Sequence, residues 1–121
     1  HASFTSARDK SKWRWTLMIM QPDWIDREMF SAAAAKASMK KPSSPVSRVR
    51  FEPFAEGLSV QTLHVGSYDD EGPVLAEMHE RFIPDAGLRM TGHHHEIYLS
   101  DPRRTAPEKL RTILRQPVAR T

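Results

Sequence analysis

Between Lys12 and Lys41 the hydrophobic period of the chain switches from two to about four, and this switch limits the available folds more than any other feature. In "KWRWTLMIM" (Lys12 to Met20), Trp13, Trp15, Leu17 and Ile19 share one face, and Arg14, Thr16, Met18 and Met20 the other. Alternation of aromatic and branched residues predicts a strand, and a central one, since both faces turn apolar towards its end. In "QPDWIDREMFSAAAAKASMKK", Ile25, Met29, Ala33 and Ala37 recur every fourth residue. Pro22 and Asp23 signal a helix start, the alanines favour helix, and Lys36, Lys40 and Lys41 suit its negative C-terminal end. A chain that makes this switch must pack helices on a sheet.

The rest repeats the theme. "KPSSPVS" (Lys41 to Ser47) breaks the helix. "RVRFEPF" and "LSVQTLHV" flank "AEG" (Ala55 to Gly57) and predict a hairpin, with Pro53 at an edge or bulge. After "GSYDDEGP", Asp69 or Asp70 should cap a second helix. Pro73 fits its first turn, and Val74, Leu75, Met78 and Phe82 form its apolar stripe. "PDAG" (Pro84 to Gly87) stops it, "HHHEIYLS" is strand-like, "PEKL" suits one helical turn, and "RTILRQPV" reads as a last strand. The order predicts an α+β fold: a mostly antiparallel sheet with helices on one face.

Composition narrows function by exclusion. The chain has 121 residues, enough for one domain, and no cysteine, which removes disulfides, thiolate metal sites and a cysteine nucleophile. That usage is compatible with a reducing cytoplasm, the expected location. No apolar run approaches the roughly 20 residues that span a bilayer, so a membrane partner is not expected. A net charge of +3 is only mildly basic. Nucleic-acid contact through "KWRW" or through Arg103 and Arg104 is therefore the weaker reading beside core packing and a solvated turn.

The densest functional signal is "TGHHHEIYLSDP", Thr91 to Pro102. On a regular strand His94, Glu96 and Tyr98 share one side, and His93, His95, Ile97 and Leu99 the other. Ile97 and Leu99 are expected to face the helix-covered core, leaving Glu96 and Tyr98 on the opposite face. A carboxylate beside a phenol on a rigid strand can begin a binding site; the plainer alternative is a solvated Glu96. A metal centre needs three or four converging donors. The alternation separates His93 and His95 from His94 and Glu96, though His64 and His79 could join after folding. Metal binding through the histidine-rich strand stays a third reading. No metal ligand and no cofactor is assigned.

"DKSKWRWTLMIMQPD", "VRFEPFAEGLSVQTLHVGSYDDEGP" and "HHHEIYLSDPRRTAPEKLRTILRQPV" together closely resemble bacterial GyrI-like small-molecule-binding proteins, over about Asp9 to Val118. The tract "HHEIYLSDP" is most similar to the group that includes cyclopropanoid cyclopropyl hydrolases. The resemblance implies two strand-helix-strand-strand modules related by a pseudo-twofold, with ligands in the groove between them. Here residues 11–118 match such a domain without most of its first module, flanked by a flexible segment at 1–10 and a tail at 119–121. A missing N-terminal module, or a second copy in a homodimer, would complete the groove. The implied ligand is an amphipathic, aromatic or cationic small molecule. Glu96 matches the family's central acid and Tyr68 the tyrosine ending a strand, both expected in catalysis. Trp13, Trp15, Tyr98 and His94 are the expected ligand-binding residues. Two functions follow: hydrolytic detoxification of cyclopropane-bearing alkylators, or non-catalytic sequestering or sensing.

Overall fold

The computed structural model describes residues 14–121, in two compact units: Arg14–Ala55, and the described remainder from Glu56 to Thr121. The sheet lies in the second unit. Its strands are β1 (Ser59–Val65), β2 (Leu88–Met90), β3 (His95–Tyr98) and β4 (Arg111–Arg120), all antiparallel to β4. β4 is the axis: β1 pairs along one edge, while β2 and β3 lie end to end along the other. With the helices, this is the α+β architecture expected.

Alternation in β4 decides where the core sits. Thr112, Leu114, Gln116 and Val118 are buried, whereas Ile113 and Arg115 are only half-buried. The buried row meets one continuous helix, α-helical over Glu71–Ala76 (designated α2), π-wound over Glu77–Phe82, and α-helical again over Ile83–Asp85 (α3). Leu75, Met78 and Ile83 from this helix close on Leu114 and Val118 as the core cluster, with Val60, Val74 and Leu88 packed around it. The apolar stripe was thus read correctly at Leu75 and Met78, but Phe82 stays exposed. The widened turns rotate it off the sheet. Asp70 takes the expected N-cap position, but its side chain bonds no helix N–H; Tyr68–Asp70 itself is a 3-10 turn.

The first unit holds α1 (Arg27–Lys40), capped by Asp26, whose Oδ1 accepts the N–H of Met29 at 2.8 Å. Two expectations fail here. Arg14–Met20 has no regular structure and is exposed, so the described part of the "KWRW" segment is not a strand; Lys12 and Trp13 lie outside the described residues. Arg48–Phe54 is not a strand either. Pro45–Arg48 forms a 3-10 turn, and the expected hairpin does not form. Pro53 lacks a donor, and the guanidinium of Arg27 donates to the carbonyl of Phe51 at 2.6 Å, taking an acceptor that a ladder needs. Phe51 stacks instead on Phe30, with centroids 5.4 Å apart.

Candidate functional site

The register of β3 overturns one expectation and locates the site. Glu96 lies opposite Leu114 and Tyr98 opposite Thr112. Directly opposed residues of an antiparallel pair point to the same face. Glu96 and Tyr98 therefore stand on the helix-covered face, and Ile97, opposite Ile113, on the other. The reason is positional: β3 is short and lies against only the Thr112–Arg115 stretch of β4, so its face follows from that register and not from its own apolar residues.

A polar cluster forms on the helix-covered face. Tyr68, at the turn after β1, meets Tyr98 edge to face with centroids 5.5 Å apart. Glu71 opens the helix and is 1% exposed. Glu96 stands beside Tyr98, two residues along β3. Burial, then Glu96, then Glu71, then Tyr68 raise the Tyr98 phenol to about 12. Burial, Glu71, Glu96 and Asp101 raise Tyr68 in the same direction. Both phenols are thus kept protonated by their surroundings and serve as O–H donors through the physiological range. Glu71 is the residue that sequence reasoning missed. Its only visible signal was its place three residues after Tyr68.

His94 completes the group. Its Nε2 is 3.4 Å from Glu96 Oε2, and its ring meets the His79 ring at 5.9 Å. No described group bonds the buried Nδ1 of His94, which suits the tautomer with its proton on Nε2, donated to Glu96. His79 is buried, with Nδ1 2.9 Å from the carbonyl of Leu75 and Nε2 2.9 Å from Gln116 Oε1. Of the expected site residues, Glu96, Tyr68, Tyr98 and His94 come together. Trp15 belongs to the Arg14–Ala55 unit and is 69% exposed; Trp13 lies outside the described residues.

His64 is held by its own turn, with Nε2 2.8 Å from the carbonyl of Ser67. Among the described residues no three histidines, cysteines or carboxylates are grouped to hold a metal ion. On the reverse face, Glu56 joins His95 Nδ1 and accepts from Arg115 Nη1 at 2.7 Å, while Arg115 Nε donates to Gln61 at 2.8 Å. Burial works against the Glu56 carboxylate, but Arg115 and His95 outweigh it and hold the carboxyl below its usual range. On the β1 side of the helix, Val60, Val74, Met78 and Phe82 line an apolar cleft of about 500 Å³. Gln61, Thr62 and Glu77 also border it; the paired carboxylates and phenols lie in the other cluster, and the cleft offers mainly apolar binding area.

An antiparallel sheet carrying a carboxylate and phenols under one helix edge, beside an apolar cleft, defines a small-molecule-binding domain of the α+β class. The chain belongs to the GyrI-like family: the model of the GyrI-like small molecule binding domain matches residues 15–119. Among solved structures it is similar to an uncharacterized conserved protein from Listeria innocua (48% identity, TM-score 0.73, 82% of this chain and 50% of that one). It is also similar to two proteins from the same organism described as hydrolases. One is 47% identical with a TM-score of 0.70, the other 46% with 0.69; each match covers 82% of this chain and 52% or 50% of the other. The chain therefore spans about half the length of these proteins. No curated protein matches it. Among the described residues no helix is long and apolar enough to cross a membrane.

Proposed function

We propose that the domain binds amphipathic, aromatic or cationic small molecules at the Glu96–Tyr98–Tyr68–Glu71 cluster and hydrolyses cyclopropane-bearing alkylators there. The observation that carries this reading is the pairing of two carboxylates with two phenols held protonated in one partly buried cluster. The carboxylates attract a cation, and the rings add area and cation–π attraction of roughly 0.5–2 kcal/mol. The hydrolase descriptions of two similar proteins support the catalytic half.

In the reaction, Glu96 takes a proton from water as the water oxygen attacks a cyclopropane carbon conjugated to a dienone. One ring C–C bond breaks, and its electron pair moves through the ring to the distal oxygen as the ring aromatises. Tyr68 donates to that oxyanion, which is then protonated; the product is the substrate plus one water. Glu96→Gln is expected to lower the rate by about 10²–10⁴-fold. Hydrolysis at the normal rate in this variant, followed by mass spectrometry of the product, would refute the mechanism. Return of an unchanged ligand by the native chain would instead support the sequestering function, which the apolar cleft also suits.

A second half of the groove supplied by another copy of the chain fits the same reading. β1 is an edge strand of the described sheet, and Leu63 and Val65 on it are exposed.

A further inference from the structure

The ladder beside the site contains a defect. Pro117 sits in the central strand, opposite Thr91, and its carbonyl accepts the N–H of Thr91 at 2.9 Å. An antiparallel pair of this kind exchanges two hydrogen bonds, and the second would run from the N–H of residue 117 to the carbonyl of Thr91. Proline has no such N–H. The side chain of the preceding residue supplies it: Gln116 Nε2 donates to the Thr91 carbonyl at 3.0 Å, and lies 3.4 Å from that of Gly92 and 3.0 Å from that of Pro117. The amide is buried between three carbonyls, so its nitrogen end must face them; turned over, its oxygen would face oxygens.

That orientation aims Gln116 Oε1 at His79. Both ring nitrogens of His79 then meet oxygen acceptors at 2.9 Å, Oε1 on one side and the Leu75 carbonyl on the other. The ring thus bridges the helix carbonyl of Leu75 and the side-chain amide of Gln116.

We propose that His79 positions Gln116, and that this pair replaces the missing donor of Pro117 and fixes the Thr91–Gly92 turn that delivers His94 and Glu96. His79 and Gln116 are positioning residues, acting through the turn; their effect on ligand binding rests on the proposed role of Glu96. From the approach to β3, His94 faces His79, with Glu96 behind it. β4 presents the neutral Gln116. On its own helix Glu77, Glu80 and Arg81 are exposed, and Glu77 pairs with Arg81 at 3.4 Å.

Amide hydrogen exchange of the labelled full chain tests the latch directly. His79→Leu should speed exchange from Gly92 to Glu96. Unchanged exchange there in this variant overturns the proposal. Gln116→Leu should speed the same amides and weaken binding of tetraphenylphosphonium, the cationic probe, by roughly threefold to thirtyfold. Adding Pro117→Val, which restores a backbone N–H, should recover both; no effect of the first change, or no rescue by the second, also overturns it. Glu96→Gln separates the two claims. If it binds the probe as tightly as the native chain, the reading of the site fails, while the exchange data still decide the latch.

Discussion

At the scale of single residues, the environment of the phenols gives the most direct check. The chain has two tyrosines, and both are raised above the ordinary value of 10.0, Tyr98 to about 12. Ultraviolet titration of the native protein at pH 10 should show little phenolate, whereas the unfolded chain should be about half ionised. Substantial native phenolate at that pH would mean that the two rings are not held in this cluster. Because the folded state keeps these protons longer, the stability they contribute is present below the unfolded value and is lost as pH rises towards 12. Glu56 behaves in the opposite sense. Its folded carboxyl is lowered from 4.5, so its contribution is present above that value and is lost as pH falls through the lower one. Urea midpoints measured from pH 5.5 down to 3 should fall, and Glu56→Gln should flatten the fall. Glu96 was legible in the sequence as a candidate acid, because a carboxylate two residues from a phenol on a strand is visible in the spelling. Glu71 was not, because an acid in the first turn of a helix usually faces water, and only the packing of that turn shows this one buried.

At the scale of elements, the second helix and the last strand hold the sheet together. Leu114 is 0% exposed at the centre of the core cluster, where β4 meets the helix. Leu114→Ala should lower the unfolding free energy by about 2–5 kcal/mol, read by denaturant titration, through lost transfer energy and the cavity left behind. A change under 1 kcal/mol would place the core elsewhere. The helix at α1 offers a contrast, since none of its residues is buried and the contacts of Arg27 and Phe30 with Phe51 add to its local terms. Asp26→Ala should lower its helicity, measured by circular dichroism, by removing a cap that contributes about 1 kcal/mol. Both helices and the strands at β1 and β4 were legible from periodicity, which reports local preference well. The "KWRW" and "RVRFEPF" strands were not found among the described residues, because a strand needs a partner and alternation alone supplies none.

At the scale of the whole molecule, the exposed apolar residues carry the expectation. Trp15, Leu17, Ile19 and Met20 are exposed in the first unit, and Leu63 and Val65 on the edge strand of the second. Sedimentation at rising concentration should show mass above that of one 13.9 kDa chain. A clean monomer that nevertheless hydrolyses an alkylator would remove the need for a second copy. The sequence by itself determined the period of each segment, the absence of thiol chemistry and the run of residues that resembles the GyrI-like family, because these depend only on the order and type of side chains. Tertiary structure alone decided that Glu96 and Tyr98 face the helix, that Glu71 joins them, and that Gln116 fills the gap left by Pro117. Each depends on which backbone lies opposite, and strand register is settled by contacts between segments distant in the chain.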